Sequence, residues 1–247
     1  MQGTTAERWV QRWDRQQENN IPDREERFRV VIDVVRAAVG TGPANVVDLG
    51  CGPGSLSARL AAALPRVSVV GVDADPLLLG LGTANTGPRV RLVEADLGYP
   101  TWPDRLGLAG PWDAAVSSTA LHWLDADTLA ALYRTLAERL RPGGVFVNAD
   151  HMAPGQSTMD GIAAVVRAAR TARVGTDRNE NWAQWWHALG EDSELAPLLD
   201  GRPPAPIDHT ENELTVTEHA ALLREAGFAE AAPVWQFGDD HVLVAVR

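Results

Sequence analysis

The chain contains no lysine; all 22 of its basic residues are arginine. That absence excludes Schiff-base chemistry, which needs a primary amine, and a phosphate loop closed by Lys-Ser or Lys-Thr. Cysteine is nearly missing as well. The single Cys51 can form no internal disulfide, so a reducing cytoplasm is the expected setting. No uncharged apolar run is long enough to cross a bilayer, and Met1–Arg8 lacks the basic-then-apolar order of a secretion signal. Positive charge is also in deficit: 33 acidic residues against 22 basic give a formal charge of −11, which argues against a nucleic-acid partner. What remains is a small-molecule partner, with neither nucleic acid nor membrane, handled by a monomer or homodimer.

The 247 residues, 45% of them apolar and 22% charged, suffice for one well-cored domain over 1–247. Strand patterns at 46–49, 67–72, 90–93, 113–117 and 144–149 alternate with helical stretches near 55–64, 76–82 and 126–140. Such alternation predicts an α/β fold, doubly wound about a mostly parallel sheet. A Pro-Gly-Gly turn at 142–144 is expected to end the long helix before the fifth strand. Thr217 is expected to cap a last helix that stops at Gly227. Two strands near 231–237 and 241–246 then meet across Gly238-Asp239-Asp240 as a hairpin. Two helical segments lie outside this alternation. Residues 1–40 read as an N-terminal cap, with Trp9 and Trp13 on one helical face. Pro22-Asp23-Arg24-Glu25-Glu26 starts a second helix, with Asp23 as its expected N-cap and Glu26 three residues on, which turns Phe28, Val31, Ile32, Val35, Ala38 and Val39 toward a core. Residues 151–213 hold no convincing strand and read as a helical insertion, or lid, with helices near 158–173 and from 182 and a proline-rich stretch at 203–206.

The densest signal is Val46-Val47-Asp48-Leu49-Gly50-Cys51-Gly52-Pro53-Gly54. A buried strand breaks into a turn with glycine at every second position, and a helix begins at Ser55. Glycine is required where φ is positive or where backbone must approach a ligand closely. The free N–H groups at the helix start favour an anion. A dinucleotide fingerprint would be G-x-G-x-x-G, but Ser55 stands where its third glycine belongs. The second strand ends at Asp73, where a carboxylate can take both ribose hydroxyls of a nucleoside. The third is followed by Asp96-Leu97, able to read an adenine amino group and a ring nitrogen. An edge lined by Asp48, Asp73 and Asp96 suits a cationic ligand better than a pyrophosphate.

Asp-x-Gly-x-Gly-x-Gly, then Asp73, then Asp96, on successive strands, resembles the class I S-adenosylmethionine-dependent methyltransferases. The likeness runs from about residue 44 to 150 and resumes in the final helix and strands. Ser117-Ser118-Thr119-Ala120-Leu121-His122-Trp123-Leu124 and Arg141-Pro142-Gly143-Gly144 make the chain most similar to the small-molecule group that includes trans-aconitate methyltransferases. The resemblance implies a Rossmann-like seven-stranded sheet of order 3-2-1-4-5-7-6. It implies S-adenosylmethionine (SAM) across the carboxyl edge, with S-adenosylhomocysteine (SAH) as product. The cofactor set is then Asp48, Gly50, Cys51, Gly52, Gly54, Asp73, Ala74, Asp96, Leu97, Ser118 and Trp13, with Cys51 weighed as a packing residue rather than a nucleophile.

Methyl transfer from a sulfonium needs alignment, exclusion of water and, for some acceptors, a base. Nine tryptophans against four phenylalanines and two tyrosines is an unusual balance. Trp9, Trp123, Trp182 and Trp185 are the candidates for an apolar acceptor pocket, where a ring face also attracts a cation; Trp186 reads as an anchor of the cap. His122 after the fourth strand and His151 after the fifth are the candidate bases, with Asp150 placed to orient His151. No metal site is expected, because these ligand types fall on separate loops without a specific spacing. Arg167, Arg170 and Arg173, with Arg8, Arg12 and Arg24, leave a carboxylate acceptor as open as a hydroxyl or an amine. Three other readings compete: a non-catalytic module of the same fold, a nicotinamide-dependent dehydrogenase, and a nucleic-acid methylase. The glycine spacing counts against the second. Charge, and the lack of an Asn/Asp-Pro-Pro-aromatic motif, count against the third.

Overall fold

A computed structural model gives the fold and describes residues 3–195, Leu199 and 212–247; the stretch 203–206 and most of the later part of the expected insertion lie outside the described residues. Seven strands form one sheet of order β3-β2-β1-β4-β5-β7-β6. They are β1 (Ala44–Leu49), β2 (Val67–Asp73), β3 (Val90–Glu94), β4 (Trp112–Ser118), β5 (Leu140–His151), β6 (Glu230–Phe237) and β7 (Asp240–Val246). The first five run parallel, and β7 pairs antiparallel with both β5 and β6. This is the expected order.

Alternation along the strands divides the apolar residues between two layers. Val46, Val69, Val116, Val147 and Ala149 face α2 (Arg24–Val39) and α3 (Ser55–Ala63), where Phe28, Val31, Ile32, Val35 and Leu60 cover them. Leu49, Val72, Ala115 and Phe146 face the other way. Trp102 from α5 (Trp102–Arg105), Tyr133 and Leu136 from α6 (Ala126–Arg139) and Leu223 from α9 (Val216–Ala226) close that side. Each such side chain contributes about 1.5–3 kcal/mol by leaving water.

A third cluster joins α1 (Gly3–Gln17) and α8 (Trp182–Gly190) to α4 (Pro76–Asn85) through Trp9, Val10, Leu77, Leu78, Leu81, Trp185 and Leu189. Within the expected N-terminal cap, then, only α1 sits with the insertion; α2 is a layer helix of the sheet. The remaining insertion helix, α7 (Ser157–Val174), buries only Ala163. It is tied down instead by Arg170 to Asp23 and by Arg167 to Asp239 (2.8 Å).

Four local expectations are corrected. Asp23 precedes α2 but caps nothing with its side chain, because Arg170 takes both carboxylate oxygens. Pro142-Gly143-Gly144 does not stop α6, which ends at Arg139; it lies inside β5, where the pairing with β4 slips between Leu140 and Val145. Thr215, not Thr217, caps α9, since only Thr215 has a glutamate three residues on to complete a capping box (Glu218). His151 belongs to β5, so the insertion begins after it.

Candidate active site

The β1–α3 turn has the conformation its glycines allow. Gly50, Gly52 and Gly54 have φ of 64°, 54° and 77°, left-handed backbone that disfavours any side chain. At Gly50 a Cβ would also lie 2.3 Å from the Ala120 Cβ, so the turn after β4 packs directly on the turn after β1. A Cβ at Gly52 would lie 3.6 Å from the Trp13 ring of α1, so α1 packs close to this turn. Cys51 points inward, into space left by the missing side chain of Gly71, and burial pushes its thiol well up. A protonated, buried thiol is a packing group.

Three acids follow on successive strands. Asp73 ends β2, and its carboxylate accepts the Gly52 N–H (2.7 Å) through one oxygen and the Asp75 N–H (2.9 Å) through the other. Burial pushes Asp73 up, against the pull of those N–H donors. Asp96 is exposed two residues beyond β3 and accepts the Gly98 N–H (2.8 Å), with Leu97 half-buried beside it. Ala74, Asp96, Tyr99 and Arg105 line a cavity of about 340 Å³ at this corner. The first acid is different in kind. Asp48 is 1% exposed and takes the Ser57 hydroxyl (2.6 Å), so it braces the start of α3 from inside.

Burial pushes Asp48 up to about 7, the Ser57 bond only partly opposing it. The folded protein therefore keeps this proton over a range where the unfolded chain has released it, and stability falls as pH rises from about 4 to 7. Asp48→Asn keeps an acceptor for Ser57 without the titration. Between pH 5 and 8 the wild type is expected to lose about 2 kcal/mol relative to this variant. Urea unfolding at both pH values reads the difference, and parallel pH profiles would refute it.

Near the end of β4, Ser118 and Thr119 meet a cation that sequence reasoning passed over. Arg27 is fully buried and donates to Ser118 Oγ (2.9 Å), Thr119 Oγ1 (2.9 Å) and Asp240 Oδ1 (2.7 Å). Thr119 holds a φ of 54°, the one non-glycine residue in left-handed backbone among the described residues. A second polar node gathers on Asp14, next to Trp13. It accepts Arg24 (2.7 Å), Arg59 (3.1 Å) and the Ser55 hydroxyl (2.6 Å), fastening α1 to the start of α3. The signal for Arg24 and Arg27 was their place on the apolar stripe of α2, with Phe28 and Val31.

The histidines separate where the sequence had grouped them. Successive residues of a strand face opposite sides, so Asp150 and His151 diverge. Asp150, buried, takes His122 Nδ1 at 2.8 Å and the His122 backbone N–H at 3.3 Å; it does not orient His151. Burial alone would raise Asp150, but the His122 hydrogen bond and charge, with Arg27 and His151, hold it below the usual carboxylate range. An ionised Asp150 can only accept, so His122 donates to it through Nδ1. His151 pairs in register with Asp240 and lies on the Arg27 side of the sheet. Among the described residues no group of three or more His, Cys, Asp or Glu could hold a metal ion.

The tryptophans also divide. Trp9 (2% exposed) and Trp185 (0%) meet edge to face at 5.7 Å inside the cap core, so they anchor the cap rather than line an open pocket. Trp186, read from sequence as an anchor, is partly buried and packs against the same cap core, its ring 4.8 Å from that of Trp185. Trp182 and Trp123 are each 44% exposed, Trp123 lying 5.0 Å from the His122 ring. Hydrogen bonds from Arg12 to Glu180 (2.8 and 2.6 Å) and from Trp9 Nε1 to Asp192 (2.8 Å) weld α1 to the insertion.

A glycine turn after β1 and an acid ending β2, on a 3-2-1-4-5-7-6 sheet, define the Rossmann-like fold of class I methyltransferases. Residues 46–144 match the family described as methyltransferase domain. In sequence the chain is 36% identical over 133 residues to a trans-aconitate 2-methyltransferase of Azoarcus sp., covering 54% of this chain and 48% of that one. It is 38% identical over 114 residues to the protein of that name from Deinococcus radiodurans, covering 44% and 40%. The chain thus spans about half the length, or less, of these curated relatives. In structure it is similar to an O-methyltransferase family protein from Burkholderia thailandensis (TM-score 0.57, 18% identity, 89% of this chain and 55% of that). Human N-acetylserotonin methyltransferase in complex with SAM gives a TM-score of 0.52 at 13% identity, over 89% and 54%. Residues 46–144 thus match a methyltransferase-domain family and are similar in sequence to trans-aconitate 2-methyltransferases.

Proposed function

We propose that this protein is a SAM-dependent methyltransferase of a small-molecule acceptor, working in the cytoplasm as a monomer or homodimer. The observation that carries the reading is Asp73, set at the end of β2 with its carboxylate accepting the N–H of Gly52, in a turn that has Trp13 of α1 close by. That arrangement fits a ribose diol beside a cationic sulfonium: carboxylate oxygens accept hydroxyl donors, and an indole face attracts positive charge. Asp73 would hold the ribose, Asp96 and Leu97 the adenine, and Gly50, Gly52 and Ser118 the methionine end. Bound there, SAM supplies an activated methyl group.

The chain's own work is then alignment and proton handling. His122, its ring set by the Nδ1 hydrogen bond to Asp150, is the candidate to accept the proton of an attacking hydroxyl or amine. Trp123, beside the His122 ring, offers an apolar flank. Calorimetry with SAM and SAH tests the cofactor assignment. We expect dissociation constants below 100 μM, a threshold of about −5.5 kcal/mol; no binding below millimolar concentration would defeat it. Release of SAH with an acceptor panel separates an enzyme from a binding module, and Asp150→Asn is expected to lower turnover most at neutral pH.

A further inference from the structure

Resting on that reading, we infer that the acceptor presents an uncharged hydroxyl to a polar niche formed by His151 and Asp239, and that it is not a polycarboxylate. The niche lies between the end of β5, the β6–β7 turn, α2 and α7. Its side chains are His151, Asp239, Asp240, Arg27 and Arg167. Arg27 is bound to Asp240 (2.7 Å) and Arg167 to Asp239 Oδ2 (2.8 Å). Two cations meet two carboxylates, and Asp150, the next nearest charge, is committed to His122 on the other face of the sheet. Among the described residues of the niche no positive charge is left over to hold an anion, and an anion brought here would displace an aspartate already in place.

Other arginines on this side of the fold are engaged too: Arg12 by Glu180, Arg8 by Asp192, Arg24 by Asp14 and Arg170 by Asp23. A tricarboxylate would need two or three guanidinium forks aimed into the pocket. The described pocket wall spends its own on the protein.

What the niche does leave open is hydrogen-bonding capacity. Both ring nitrogens of His151 are buried without a hydrogen-bond partner, as is Asp239 Oδ1. His151 Nδ1 and Asp239 Oδ1 stand 4.0 Å apart, too far to bond each other and a fitting separation for one atom to bond both. Burial lowers His151, against the pull of Asp240 and Asp150 and with that of Arg27 and Arg167, so its imidazole is neutral at neutral pH. A neutral imidazole beside a carboxylate oxygen asks for an O–H donor. Buried polar atoms of this kind discriminate strongly, because a ligand without the matching hydroxyl leaves them unpaired.

The test uses the full chain saturated with SAH, so that failure of the cofactor reading shows first as absent SAH binding. Trans-aconitate and a panel of uncharged phenols and aromatic alcohols are then titrated by calorimetry, with the His151 ring signals followed by NMR. We expect hydroxyl compounds to bind and shift those signals, and trans-aconitate to show no binding below millimolar concentration. His151→Phe should weaken the hydroxyl compounds at least tenfold, and His151→Gln should recover part of the loss. Asp239→Asn gives a second route should the histidine variants fold poorly, with the same direction of effect. Trans-aconitate binding as tightly as the hydroxyl compounds, hydroxyl binding indifferent to both positions, or no hydroxyl compound binding to the SAH complex would overturn the inference.

Discussion

Arg27→Met is expected to cost about 3–5 kcal/mol of folding stability, the usual loss when one partner of a buried ion pair is removed. The guanidinium is fully buried and serves three acceptors, Ser118 of β4, Thr119 just after it and Asp240 of β7. Its loss would leave Asp240, 5% exposed, as an unpaired charge, and the hydroxyls of Ser118 and Thr119 without their donor. Met fills much of the same volume, so the cost is electrostatic rather than a cavity. Two consequences distinguish this account from general disruption of α2. Adding Asp240→Leu should recover a large part of the loss, because no buried charge then remains. Phe28→Leu, on the same helix face, should cost about 1–2 kcal/mol. Urea unfolding of the three variants decides it; a loss below 1 kcal/mol for Arg27→Met would remove the pair from its central place.

Asp73→Ala is expected to weaken SAM and SAH binding about 30- to 150-fold, equivalent to 2–3 kcal/mol of charge-assisted hydrogen bonding. The substitution removes the acceptor proposed for the ribose. It also frees the Gly52 N–H that Asp73 now holds at 2.7 Å, loosening the turn itself. Asp73→Asn keeps one acceptor oxygen and should lose less. Calorimetry on both variants, with melting temperatures to show that each is folded, separates ligand contact from turn support. Affinities within threefold of the wild type would place the nucleoside elsewhere.

Short-range chemistry was legible from the residues. The alternation of strands and helices gave the mostly parallel sheet with helices on both faces, the strand order came from the family resemblance, and the glycines at 50, 52 and 54 all have left-handed φ. The core stripe of α2 appears where periodicity put it. Even the misplaced cap of α9 was readable, since Thr215-x-x-Glu218 is the complete capping box and Thr217 lacks its partner. The acidic edge was placed rightly at the ends of β2 and β3, but the sequence could not distinguish an acid that faces the edge from one sealed behind it. Asp48 and Asp73 look alike in the chain and differ in burial.

What the sequence determined by itself was set by contacts within a few residues: the turn conformation, the strand ends, the apolar faces and hence the fold. Tertiary structure decided every pairing of distant polar groups. Asp150 was next to His151 in the chain yet serves His122, because a strand sends neighbours to opposite faces. Trp9 and Trp185 became a buried anchor, 176 positions apart, because α1 and α8 meet over α4. Arg27 found Asp240 only when β7 slid in beside β5. A side chain's own chemistry is local, but its partner, and so its charge and its role, depends on which distant segments the fold brings against it.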